Sequence, residues 1–466
     1  MGAWIARTLC LAGAMVLAGA GVAQAADPTV ACSGDPAAST RIDMTVAGTP
    51  TYGLYAVPSG TPRGLVVVDH GYSHTPYSWT KHLSDMARRN GVIAVAMDYR
   101  GTKDSPPSRP GGLPSSRGWR VQEGAEDSVA VARLFDGQCP GLPTIDLYSV
   151  SMGGNAAGLA AAARAKRLDG RPLWDFWFNV EGAVNVIETY TGARVLAPGN
   201  TFANNAHQDI VEEMGGELDA QSSTYQQRTV VNRVEDIKAS GLKGVVLVHG
   251  VGDGLVPYDQ AQEMVGRLRQ NGIPSDLFSV GTRGSGEPGT TLDGYVIGGV
   301  APSPFAGHAS EASDSHIVGN TGFERLAAFF ARGEAPCDRS FAVDGDSATV
   351  APDPATATPQ CKFAFPTRSA GGGGAGAGQG GPISVTSRRS CARRSLLLHI
   401  RAPRRQRLVQ AAVYVNGRRV RLRRDHDIRT LAVRNAPAGA FTARIVAITS
   451  AHRLRVVTRR FAACRR

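Results

Sequence analysis

The sequence predicts an α/β fold class, a mostly parallel sheet flanked by helices, with a small C-terminal all-β sandwich domain behind it. Three observations predict it. Apolar strand-type runs alternate with helix-type runs from about residue 40 to residue 332, the pattern of a parallel sheet covered on its faces. Residues 369–381 (SAGGGGAGAGQGG) have almost nothing to bury and read as a flexible linker. Beyond them, short segments alternate polar and apolar residues around an Asn416-Gly417 hairpin signal, as in a sandwich of about 80 residues.

At 466 residues the chain exceeds the size at which one hydrophobic core stops growing. It divides into a leader at 1–25, a main domain at 26–335 with a lid-like insertion at 185–240, an extension at 336–368, a linker at 369–382 and a basic β-sandwich at 383–466. The leader follows from Arg7, the apolar run 9–22 and Ala23-Gln24-Ala25: a charged start, a short apolar core and an Ala-x-Ala cleavage site, the marks of a secreted chain. Glycines interrupt that run, and it is shorter than the roughly 20 residues a membrane-spanning helix needs. No later segment is long and apolar enough to span a bilayer, so no transmembrane segment is expected.

In the main domain, 64–69 (GLVVVD) and 91–98 (GVIAVAMD) are buried-type strands. The stretch 123–135 is a helix because Ala125, Val129, Ala132 and Phe135 share one face. A strand at 144–150 runs straight into Ser151 and is followed by an Ala-rich helix at 155–166. Strands at 174–180 and 243–249 bracket the insertion, and 260–270, 276–280 and 321–331 complete the alternation as helix, strand and closing helix. In the C-terminal domain strands are expected at 395–400, 408–415, 418–422, 428–433, 441–448 and 453–461.

Charge separates the parts of the chain. From residue 383 onward there are 22 Arg and no Lys against 2 Asp and no Glu, a balance of +20, and since the whole chain carries +12 everything before it sums to −8. Clustered arginine attracts polyanions, so this domain is expected to meet an anionic cell-wall or surface polymer; the plainer reading is a solvated, arginine-rich sandwich. No nucleic-acid motif accompanies the charge, and only Tyr414, Phe441 and Phe461 supply rings, so no specific nucleic-acid partner is expected. Six cysteines follow the leader, and an even set in an exported chain points to disulfides; Cys391 with Cys464 is the favoured pair because the two bracket one small domain. No Cys-x-x-Cys pair or ligand-spaced cluster supports a metal, and His70, His74 and His249 read as packing or hydrogen-bonding residues at strand ends.

The strongest chemical signal is Ser149-Val150-Ser151-Met152-Gly153-Gly154, between a strand and a helix. A nucleophilic hydroxyl must stand at the tip of a sharp strand-to-helix turn, and small residues two before and two after it relieve the crowding there. Ser149 occupies the first small position, where glycine is commonest. A serine needs a base to take its proton and an acid to orient that base. Asp253, in the loop after the strand 243–249, is the expected acid, with Glu181 as the competing carboxylate. The base is His308, favoured for its Gly-His context, or His316; both lie between the last strand and the closing helix. The oxyanion hole is expected from the N–H of Met152, which follows the nucleophile, and of Tyr72, in His70-Gly71-Tyr72.

With these motifs in view, residues 40–332 resemble the α/β-hydrolase superfamily, in particular secreted actinobacterial-type esterases and the related dienelactone-hydrolase and prolyl-oligopeptidase-like catalytic domains. The resemblance rests on His70-Gly71-Tyr72, Asp98-Tyr99-Arg100-Gly101, the Ser151 elbow, and His249-Gly250 through Asp253 to Val256-Pro257. It implies the order Ser, Asp, His along the chain and hydrolysis of a small ester or acyl substrate without cofactor. A serine peptidase and a non-catalytic, wall-associated binding protein are the alternatives, because one fold hosts many functions.

Overall fold

The computed structural model describes residues 28–105, 115–281, 308, 317–344, 349–352, 361–365, 384–392, 394–402, 407–415, 418–424, 427–449 and 454–464. The leader at 1–25, the linker at 369–382, the Asn416-Gly417 turn and His316 lie outside these residues.

The main sheet opens with an antiparallel pair, β1 (Thr40–Val46) and β2 (Thr49–Ala56). Then come β3 (Leu65–Asp69), α1 (Thr80–Asn90), β4 (Ile93–Met97), the short antiparallel strands β5 (Lys103–Ser105) and β6 (Ser115–Arg117), and α2 (Val121–Gln138). Next are β7 (Ile145–Val150), α3 (Gly153–Ala162) and β8 (Phe176–Val180). The insertion is helical: α4 (Val186–Leu196), α5 (Thr201–Met214), α6 (Ser222–Arg228) and α7 (Val234–Ser240). β9 (Gly244–Gly250), α8 (Tyr258–Gln270), β10 (Ser275–Gly281) and α9 (Ile317–Arg332) complete the alternation.

The strands lie in the order β1-β2-β4-β3-β7-β8-β9-β10, and the run from β4 to β10 is parallel. Because β3, β4, β7, β8 and β9 are buried along their whole length, alternate residues feed two separate cores. Leu65 and Val67 of β3 pack with Phe135 of α2, Ala157 of α3 and Leu268 of α8. Val66 and Val68 point the other way, with Leu83 of α1 and Phe329 of α9. From β3 the chain steps outward to β4 and then returns past β3 to β7. That reversal opens a crevice at the carboxyl ends of β3 and β7, where open α/β sheets bind their ligands.

Two differences from the sequence reading have physical causes. The helix expected at 155–166 ends at Ala162, because Arg164 turns into the left-handed region (φ 52°). The segment read as an extension adds β11 (Ser340–Asp344), parallel to β10, and β12 (Thr349–Pro352) to the same sheet. Phe341 stacks on Phe278 at 4.5 Å, and Asp276 accepts the N–H groups of Cys337 and Arg339. The two strands are five and four residues long, too short to show a clear alternation in the sequence.

In the C-terminal region, β13 (Ser384–Ser390) pairs with β14 (Ser395–Arg401); β15 (Leu408–Val415), β16 (Arg418–Arg424), β17 (Thr430–Val433), β18 (Phe441–Thr449) and β19 (Leu454–Phe461) follow. They form two antiparallel sheets, β13-β14-β17 and β16-β15-β18-β19. Leu398, Ile400 and Leu431 of one sheet meet Val413, Ala443 and Ile445 of the other in one apolar cluster, which makes this an all-β sandwich. Disulfides join Cys32 to Cys139, Cys337 to Cys361 and, as expected, Cys391 to Cys464. Among the described residues no helix is long and apolar enough to cross a membrane.

Candidate active site

Ser151 follows the last residue of β7 with φ 55°, in the left-handed region that non-glycine residues avoid at a cost of about 1–3 kcal/mol. The surroundings hold it there. Its N–H donates to the Val180 carbonyl at 3.2 Å, and its own carbonyl accepts from Gly154 and Ala183 at 2.9 and 2.8 Å. A Cβ at position 153 would collide with the Asp69 backbone carbonyl, so the second small position of the motif admits only glycine without a shift of backbone. Ser149, the departure from the commonest motif, is fully buried. Its Oγ accepts from Trp177 Nε1 at 2.8 Å and donates to Asn179 Oδ1 at 3.0 Å, tying β7 to β8 directly beneath the turn.

His308 Nε2 lies 3.1 Å from Ser151 Oγ, and His308 Nδ1 lies 2.7 Å from Asp253 Oδ2. Asp253 is buried, and its Oδ1 accepts the N–H groups of Leu255 and Val256, both at 2.9 Å. Burial alone would raise its pKa, but the nearby His308 and hydrogen bonds from His249 and His308 hold the carboxyl well below its usual range. An anionic Asp253 keeps the proton on Nδ1 and turns the lone pair of Nε2 toward the serine hydroxyl. His249 is buried too; against that burial, its hydrogen bond with Asp253 and the charges of Asp253 and Glu181 raise its pKa. Its Nε2 donates to the Val256 carbonyl at 2.8 Å.

Glu181, the competing acid, stands 3.8 Å from His308 Nδ1, farther than Asp253, and accepts the Gly250 N–H at 3.2 Å. Glu181, Asp253 and His308 bring ligand-type atoms within 4.8 Å of one another. With Nδ1 on Asp253 and Nε2 on Ser151, however, the imidazole has no lone pair left for a cation. His70 stacks on Tyr99 at 4.2 Å, and His74 Nδ1 lies 3.1 Å from Ser78 Oγ, so both pack locally at the end of β3.

Tyr72, Ser151 and His308 line one cavity of about 310 Å3, together with Trp119, Leu196, Phe202 and Leu255. Met152 caps α3, so its N–H belongs to the amides of a helix start that find no acceptor within the helix. The roof comes from the insertion, and α5 is fastened on its outer side. Buried Asp209 accepts from the Tyr72 hydroxyl, from Arg117 Nε and Nη2 at 3.1 and 2.9 Å, and from the Gly118 N–H at 3.2 Å. Glu212 pairs with Arg120 and Lys103. Phe202, on the same helix, meets the Tyr72 ring edge-on at 5.4 Å. The sequence reading missed Asp209, Arg117 and Phe202, because no local motif links positions so far apart.

The strand order, the sharp turn at Ser151 after β7, and Asp253 and His308 following β9 and β10 in the chain define the α/β-hydrolase fold. No family model matches the chain, and no curated protein does. Among solved structures, a puromycin-hydrolyzing peptidase of Mycobacterium tuberculosis is 15% identical over 53% of this chain and 36% of its own, with a TM-score of 0.37. This chain thus spans about a third of that peptidase. A Pyrobaculum calidifontis esterase is 17% identical over 63% of this chain and 84% of its own, with a TM-score of 0.42. A Pyrococcus furiosus esterase is 16% identical over 54% and 87%, with a TM-score of 0.38.

Two outcomes follow. Ser149→Ala leaves the buried Trp177 Nε1 without an acceptor and is expected to cost about 1–3 kcal/mol in thermal or denaturant unfolding; an unchanged midpoint would remove the network from the account. On α5, burial and then the neighbouring Glu123 push Glu213 up to about 8. A folded-state pKa above the unfolded value makes the associated stability full below about pH 4.5 and lost as pH rises through about 8. Melting curves of Glu213→Gln should therefore fall less than those of the parent between about pH 5 and pH 8; identical slopes would contradict this.

Proposed function

We propose that the protein is an exported serine hydrolase that cleaves carboxylic esters through an acyl-enzyme on Ser151. The observation that carries this reading is the line of contacts from Ser151 Oγ through His308 to Asp253, at 3.1 and 2.7 Å. As Ser151 Oγ attacks the carbonyl carbon, its proton passes to Nε2, and anionic Asp253 stabilises the imidazolium that forms. The Met152 and Tyr72 N–H groups receive the oxyanion, each such donor contributing about 3–4 kcal/mol. Collapse expels the alcohol, which takes its proton from Nε2. Water then gives a proton to the same nitrogen and attacks the acyl-serine, and collapse releases the acid as Ser151 Oγ takes that proton back from Nε2.

The cavity supports the ester reading: it is small, largely apolar and roofed by α4 and α5, and so suited to a compact acyl or aryl group. The peptidase reading draws support from Glu188, a carboxylate of the lining placed to receive a substrate ammonium. Burial and then the charges of Asp259 and Glu263 push Glu188 above the usual carboxylate range, which weakens it in that role. Export is supported by the three disulfides, which persist in oxidising compartments.

Ser151→Ala is expected to lower p-nitrophenyl ester turnover by at least about 1,000-fold and to abolish labelling by a fluorophosphonate. Undiminished turnover in that variant would end the proposal. Asp253→Asn, which keeps the side chain's volume, should cost about 1,000- to 10,000-fold in kcat by presenting the wrong tautomer to the serine. Esters of graded acyl length assayed beside aminoacyl anilides separate the two substrate classes, and faster anilide cleavage would favour the peptidase.

A further inference from the structure

Three arginines from three separate segments converge on one groove of the C-terminal sandwich. Its cavity of about 780 Å3 is lined by Arg401 at the end of β14, Arg407 just before β15 and Arg429 just before β17, together with His399. The strand register explains the convergence. Ser384 pairs with Arg401, Thr386 with His399, and His399 with Thr430, so hydroxyl, imidazole and guanidinium groups lie in adjacent rows on the outer face of the three-stranded sheet. Ile400 and Ile428 are buried beneath. The Ile400 N–H donates to the Arg429 carbonyl and the Ile428 N–H to the Leu408 carbonyl, both at 2.8 Å, which fixes the other two segments beside β14. All three arginines are exposed, and among the described residues the carboxylate in the lining is Asp427, 2.8 Å from Arg429.

We propose that this groove binds a polyanionic polymer whose repeat carries phosphate and hydroxyl groups, a polyol phosphate. Guanidinium forks match phosphate oxygens two at a time, and Ser384, Thr386 and Thr430 offer hydroxyl partners along the same groove. The charge of +20 over the domain draws such a chain in from a distance. Single-stranded nucleic acid is disfavoured because bases need aromatic faces to stack on. Among the described residues no ring but His399 lines the groove, and Phe441 and Phe461 stack on each other at 4.9 Å with Arg389 over Phe441. A bilayer surface is disfavoured because anchoring there also takes apolar insertion. Among the described residues of the sandwich, the exposed large apolar side chain is Val420 alone.

The test compares two full-length variants that lose the same charge. Arg401→Ala, Arg407→Ala and Arg429→Ala together empty the groove; Arg421→Ala, Arg434→Ala and Arg460→Ala remove three exposed arginines elsewhere on the sandwich. Binding to synthetic poly(glycerol phosphate) is measured at about 0.15 M salt, where the screening length is about 8 Å. The groove variant should weaken binding about tenfold or more and the control less than about threefold, with unaltered melting curves and ester turnover in both. Equal weakening in the two would show that charge acts without a site and would overturn the proposal. Tighter binding of the parent to single-stranded DNA of equal phosphate number, or to phosphatidylglycerol vesicles, would overturn the choice of polymer.

Discussion

The backbone of Ser151, held with positive φ at the end of β7, is the constraint on which the site depends. A hydroxyl on a relaxed turn would either lie along the strand or fold into α3. The left-handed turn aims it out of the sheet's carboxyl edge, and the strain is offset by hydrogen bonds to β8 and to the loop after it. Those bonds exist only because β7 is a central strand with paired neighbours on both sides. The parallel sheet is thus the part of the molecule that makes an otherwise unfavourable conformation persist.

The same edge solves an electrostatic problem. A buried carboxylate is costly unless it is hydrogen-bonded and paired. Asp253 receives two backbone N–H groups on one oxygen and the imidazoles of His308 and His249 near the other. It therefore stays anionic in a place where burial alone would keep it protonated, and its charge selects the tautomer of His308. Glu181, equally buried, faces the same imidazole from 3.8 Å and is satisfied by the Gly250 N–H. Distance and hydrogen-bond supply separate the two carboxylates.

Much of this was legible in the sequence, and the rest had reasons not to be. Apolar runs such as 65–68 and 93–97 announce strands covered on both faces, and the small residues around Ser151 announce the turn, because each is a local requirement. Asp253 was legible from its place after a strand. His308 was favoured over His316 for its Gly-His context, and its Nε2 lies 3.1 Å from Ser151 Oγ, while His316 lies outside the described residues. Ser149 looked like a weakened motif. Its partners, Trp177 and Asn179, lie on the next strand and appear only once β7 and β8 are paired. Strands β11 and β12 escaped because they are only five and four residues long, and β13 because it lies at a sheet edge with Val385 as its one apolar residue.

The insertion is a helical segment with little motif content that nevertheless supplies much of the cavity's lining. One side of α5 gives Phe202, Ala203 and Ala206 to the cavity, while Asp209 and Glu212 tie the helix to Arg117, Arg120 and Tyr72. Tyr72 therefore joins the two parts: it lines the same cavity as Ser151, its ring meets Phe202, and its hydroxyl is held by Asp209 of the insertion. Any displacement of α5 must break a buried carboxylate with four donors, which costs far more than moving a solvated loop. The cavity's dimensions are accordingly a property of the folded ground state, set by these ionic attachments as much as by the apolar residues that line it.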